Sequence, residues 1–113
     1  MLLMALALLT AVEPERWVHV GGSAGAYEEY LDRASIKRNA KKVTLWTRRD
    51  FVQDRGTAWN EIEFDCATKR ETILAYVRDD GKSISHNMVR PHRESSPVPP
   101  GSVEERIFDM VCR

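Results

Sequence analysis

The chain has 113 residues, room for one domain, and its 17 lysines plus arginines equal its 17 aspartates plus glutamates. That balance excludes a dedicated nucleic-acid binder, which carries a strong basic excess. Aromatic and β-branched residues spread along the chain exclude a disordered one.

Residues 1–12 carry no charge, and Glu13-Pro14-Glu15-Arg16 after them is polar. The run is too short to span a bilayer but has the length of the apolar part of a secretory leader. Residues 1–11 are therefore expected to be a leader removed on export, with Ala5-Leu-Ala7 or Leu9-Thr-Ala11 supplying the small residues at its end. No Lys or Arg opens it, as if its start were truncated, and a buried or amphipathic N-terminal helix is the alternative. Residues 12–113 are then the mature domain, with no transmembrane segment after leader removal. No cysteine lies near the leader to carry a lipid, so the expected location is periplasm, cell surface or medium.

From Arg16 onward the pattern is short strands and turns. Trp17–Val20 is a first strand, closed by Gly21-Gly22-Ser23-Ala24-Gly25, and Tyr27–Leu31 a second, followed by a turn and short apolar return over Asp32–Ile36. After an Asn39-Ala40 turn, Lys41–Phe51 is the longest candidate, then Trp59–Cys66, Ile73–Asp79 and Ser83–Met88, with Asp80-Gly81 as a tight hairpin signal. In the third strand Val43, Leu45 and Thr47 alternate with Thr44, Trp46 and Arg48. In the fourth, Ile62, Phe64 and Cys66 alternate with Glu61, Glu63 and Asp65, so one face is apolar and the other acidic. One register of that hairpin sets Arg48 opposite Glu61 and Leu45 opposite Phe64; a slip by two would keep the faces and change the partners.

A proline-rich connection over residues 90–100 precedes a helix announced by Ser102 as N-cap with Glu105 three residues on, a capping box. Val103, Ile107, Met110 and Val111 form its apolar stripe, with Glu104, Glu105 and Arg106 turned largely away. A helix of about three turns is marginal alone and must dock. Cys66 and Cys112 are the only cysteines. In an exported chain they read as a disulfide, whose closed loop of about 47 residues is worth roughly 4 kcal/mol in the chain-entropy model. In a cytosolic chain they would be two buried thiols. The expected fold class is α+β: an antiparallel sheet of about six strands with a short C-terminal helix packed on one face and tied there by Cys66–Cys112.

No motif calls for a cofactor, a catalytic residue or a metal. Ser35 and Ser102 lack a nucleophile elbow. Glu61, Glu63 and Asp65 read as a solvated face. The basic run from Arg33 to Arg55 reads first as a solvated edge and turn surface, with a functional basic patch as the alternative. Trp46, with Arg48 and Arg49, is the candidate binding site, because a large aromatic among charges is typical of interface hot spots. Against this stands a Trp46 packed under a loop or a second subunit.

The ordered set Trp17-Val-His-Val-Gly, Tyr30-Leu-Asp-Arg-Ala-Ser-Ile, Val43-Thr-Leu-Trp, Arg49-Asp-Phe, Glu63-Phe-Asp-Cys, Pro100-Gly-Ser-Val-Glu-Glu and Val111-Cys112 resembles the surface-adhesin protein E family of Gram-negative bacteria. The resemblance implies six antiparallel strands with the helix tethered to the concave face by the disulfide. It also implies a non-catalytic envelope protein that binds protein ligands such as vitronectin, laminin and plasminogen, and that forms a homodimer. The alternative function is a periplasmic enzyme or metal-dependent factor using His86 and His92.

Overall fold

The structure, a computed structural model, describes residues 15–82, 84–88 and 94–113, with the backbone alone for 85–88. The leader assigned to residues 1–11, and His92, lie outside the described residues. Strands β1 (Trp17–Ser23), β2 (Tyr27–Asp32), β3 (Lys37–Asn39), β4 (Lys42–Phe51), β5 (Thr57–Asp65), β6 (Arg70–Asp79), β7 (Ile84–Met88) and β8 (Ser96–Pro97) are followed by helix α1 (Val103–Val111). They form one antiparallel sheet in the order β1-β2-β4-β5-β6-β7, six strands wide. Two short strands complete it, β3 against β4 and β8 against β6. This is the expected α+β class. Among the described residues no helix is long and apolar enough to cross a membrane.

Alternation decides the core. Val43, Leu45 and Thr47 of β4, Ile62 and Phe64 of β5 and Leu31 of β2 are buried on one face, where α1 lays Val103, Ile107, Phe108 and Val111. Phe108 meets Phe64 edge-on, ring centroids 5.6 Å apart, a favoured aromatic geometry. The expected helical stripe therefore needs one correction: Phe108 belongs to it, whereas Met110 is half exposed. At 3.6 residues per turn the docked arc runs from 103 through 107 and 111 round to 108, and 110 falls just beyond its 103 edge.

Four devices hold the helix. Cys66 and Cys112 form the disulfide, with Cα atoms 5.4 Å apart. Ser102 Oγ accepts from the Glu105 N–H at 3.1 Å, and Glu105 Oε1 in return accepts from the Gly101 N–H at 2.8 Å, one residue earlier than the usual capping box. Arg38 donates to the Val111 carbonyl at the other end, and Arg106 donates to the Val20 carbonyl at 3.2 Å. Gly21 follows at a register shift in β1, with φ +149°, and a Cβ there would strike the Arg106 guanidinium. The glycine run read as a turn is thus partly strand.

The β4–β5 hairpin pairs Leu45 with Ile62, Trp46 with Glu61 and Arg48 with Trp59, two residues from the expected register. The reason is a five-residue loop over 52–56. The Phe51 N–H donates to the Gly56 carbonyl at 2.9 Å, and Asp54 accepts from the Gly56 N–H at 2.8 Å. Because the side-chain period is 2, the slip changed partners and left both faces intact. Strand β6 starts at Arg70, three residues earlier than expected, and β3 and β8 were not anticipated, being too short to show an alternation.

Candidate functional site

The face turned away from α1 carries the site. Trp46 of β4 points to it, as its alternation requires, and so do Trp59, paired with Arg48, and Trp17, paired with Asp32. All three tryptophans of the chain are half-buried there, and with Arg16, Asp32 and Val77 they line an open groove of about 330 Å³. Arg48 lies across the floor beside it, its guanidinium 4.4 Å from the Tyr30 ring centre and 4.9 Å from that of Trp17, with Nε donating to Asp50 at 3.1 Å. Such stacking holds a planar cation on aromatic faces.

Local structure sets the rim. Asp32 ends β2, and its carboxylate takes two bonds from Arg16, Nε and Nη2 each at 2.9 Å, and one from the Ala34 N–H at 3.0 Å. Arg16 above all, with the Ala34 amide, holds the Asp32 carboxyl below the usual aspartate range. The turn at Arg33–Ser35 then lets Ser35 Oγ accept the Trp46 backbone N–H at 2.8 Å, filling the ladder bond between β2 and β3 and fixing Trp46 in place. Glu61, directly across from Trp46 and two residues from Trp59 on the same face, has no ion-pair or hydrogen-bond partner among the described residues.

The candidate trio of Trp46, Arg48 and Arg49 does not converge. Trp46 and Arg48 share the groove face, whereas Arg49, one residue on, faces the helix side. There it bonds Glu29 Oε1 through Nε at 2.8 Å and Nη2 at 2.7 Å, lies 3.6 Å from Glu104 and stacks on Tyr27 at 4.0 Å. Adjacent strand residues point to opposite faces, so Arg49 is a neutralising cation for the helix–sheet seam. Glu104, expected to turn away, is part of that seam, as is Glu71, whose Oε1 is buried without a partner. Burial, with Glu104 and Glu29 nearby, pushes the Glu71 carboxyl up to about 7. Burial likewise raises Glu29, against the opposing pull of Arg49.

The basic run dissolves into separate tasks: Arg38 on the helix end, Lys42 with Glu63 at 3.7 Å, Arg48 on aromatic rings and Arg49 on Glu29. Of the acidic face, Asp65 is spent on the β5–β6 turn, accepting from the Ala67 and Thr68 amides at 2.9 and 3.1 Å. Among the described residues no three His, Cys, Asp or Glu side chains converge as metal ligands. Of the proposed histidine pair, only the backbone of His86 is described, opposite Val77. Trp17 and Trp59 were missed. Trp59 shares the parity of Glu61 and Glu63 and was legible from it, whereas Trp17 reaches the groove only through the pairing of β1 with β2, regular from Trp17–Asp32 to His19–Tyr30.

A family model described as surface-adhesin protein E matches residues 17–113. In fold the chain is similar to crystal form II of Haemophilus influenzae protein E, with TM-score 0.64, 10% identity, and 89% of this chain and 90% of that one covered. It is also similar to protein E from non-typeable Haemophilus influenzae, with TM-score 0.59, 11% identity, and 91% and 78% covered. No curated protein matches the chain in sequence.

Proposed function

The chain belongs to the surface-adhesin protein E family, and from that membership we propose that it is a non-catalytic binding protein, exported after removal of residues 1–11, that engages a protein ligand through the tryptophan-lined face of its sheet. The observation that carries the reading is the placement of all three tryptophans on the one face that the helix leaves open. A three-tryptophan face set on a hydrogen-bonded sheet is a rigid aromatic surface. Binding energy at interfaces concentrates on such residues because they desolvate large area at low entropic cost. Trp46 and Arg48 belong to that surface; Arg49 supports the fold behind it.

The test is capture of the purified exported protein on immobilised extracellular-matrix and serum proteins, comparing wild type with Trp46→Ala/Trp59→Ala. Binding that falls by about tenfold or more in the variant is expected for two hot-spot aromatics. Wild-type protein that captures none of the panel, or a variant that binds as well as wild type, sinks the reading. Sedimentation across a concentration series separates a homodimer from a heterologous ligand on the same face.

A further inference from the structure

The two halves of the groove are built from the same parts and filled differently. On the β1–β2 half, the Trp17 indole and the Asp32 carboxylate share one arginine: Arg16 grips Asp32 with two nitrogens at 2.9 Å, and its guanidinium sits 5.8 Å from the Trp17 ring centre. Arg48 adds a second guanidinium between Trp17 and Tyr30. On the β4–β5 half, Glu61 sits directly across from Trp46 and two residues from Trp59 on the same face, beside the groove. There no described cation lies over either indole, and no described donor reaches Glu61.

We propose that Glu61, on the sheet face beside the Trp46 and Trp59 end of the groove, receives an arginine side chain presented by a protein partner. The inference rests on the binding reading above and names the chemistry of its ligand. Complementarity selects a cation, because a carboxylate with no partner among the described residues, beside two indoles, offers both an acceptor and ring quadrupoles. Arginine is favoured over lysine because its planar guanidinium stacks on an indole while forking onto a carboxylate, the arrangement this protein already uses at Arg16, Asp32 and Trp17. A partner that inserts an arginine here would continue a row of alternating rings and guanidinium groups across the face.

The probe is the peptide acetyl-Gly-Gly-Arg-Gly-Gly-amide, titrated into isotopically labelled exported protein while the three indole N–H resonances are followed. Citrulline and lysine versions, and the variants Glu61→Gln and Trp46→Phe, are run beside it. The arginine peptide should move the Trp46 and Trp59 signals saturably and the Trp17 signal less. Citrulline, which keeps the shape and loses the charge, should bind about tenfold more weakly, as should the Glu61→Gln variant with arginine. Lysine should fall between.

Equal responses to arginine and citrulline, or an unaltered affinity in Glu61→Gln, overturn the proposal. A response that arises only once Arg90 and Arg93 are replaced by Gln assigns the site to the chain's own arginines and overturns it too. If the matrix capture of the previous section survives while arginine binding fails, the binding face stands and its arginine chemistry falls. If capture is also indifferent to Trp46 and Trp59, both fall.

Discussion

The two faces of this sheet are made by the same strands and hold together by different physics. On the helix face, Val43, Leu45, Ile62 and Phe64 are closed off by α1, and Glu29, Arg49, Glu104 and Glu71 form a charged seam beside them. On the groove face, three tryptophans and Tyr30 remain half exposed with no covering layer among the described residues, and only Trp17 and Tyr30 carry cations, Arg16 and Arg48. Residues on the first face have few alternatives that fill the same volume. Residues on the second keep to the alternation and to the contacts of Arg16 and Arg48, and leave three tryptophans half exposed, a patch of the kind found at contact surfaces.

The largest test of that contrast is truncation on each face. Phe64→Ala removes a fully buried ring facing Phe108 and should cost about 3–5 kcal/mol in urea unfolding. A loss below about 1 kcal/mol would mean the helix is not docked as described. Next is the disulfide: replacing Cys66 and Cys112 by Ser should cost about 2–4 kcal/mol, because the unfolded chain regains a 46-residue separation between the two ends. Free thiols in the exported protein, read by alkylation and mass, would remove the tie altogether.

How much of this was legible beforehand follows from the range of the forces involved. Alternation in β4 and β5, the Ser102–Glu105 cap and the pairing of two lone cysteines are local or combinatorial signals, and they placed the sheet, its two faces and the helix. The hairpin partners were off by two because the tightness of the 52–56 loop depends on hydrogen bonds that leave no periodic trace. Trp46 was found and Trp17 was not, because the first needs only parity within one strand. The second needs the pairing of Trp17 with Asp32 on a neighbouring strand, which parity within β1 does not give. Arg49 was grouped with its neighbours in sequence, although one step along a strand moves a side chain to the other side of the protein.

The acidic seam separates the faces by pH. Glu71 is raised from 4.5 to about 7 by burial and by Glu104 and Glu29, so the folded protein binds a proton there that the unfolded chain releases. Stability should rise as pH falls from about 8 toward 5, with the full penalty present above the folded value and relieved near the unfolded one. Because Glu71 is only half-buried, solvent screens part of the effect, and about 1–2 kcal/mol is expected. Glu71→Gln should stabilise the protein at pH 8 and flatten this limb. At lower pH the lowered carboxyls of Asp32 and Glu105 reverse the trend, as each loses its partner on protonation. A melting temperature that drops steadily from pH 8 to 5 would place Glu71 outside the seam.

The smallest expected effect on stability is the one on which the proposed function turns. Trp46 lies on the open face, half-buried and with no covering layer among the described residues, so Trp46→Ala should cost about 1 kcal/mol or less, against roughly 3–5 for Phe64→Ala on the adjacent strand. The same substitution should abolish the response of the groove to ligand. A stability loss as large as that of Phe64→Ala would show that a loop or a second subunit already packs over Trp46, making the tryptophan face a second core. A small stability loss with intact binding would leave the ring without either role. Only the combination of a near-neutral effect on unfolding and a large effect on binding separates a side chain kept for contact from one kept for packing.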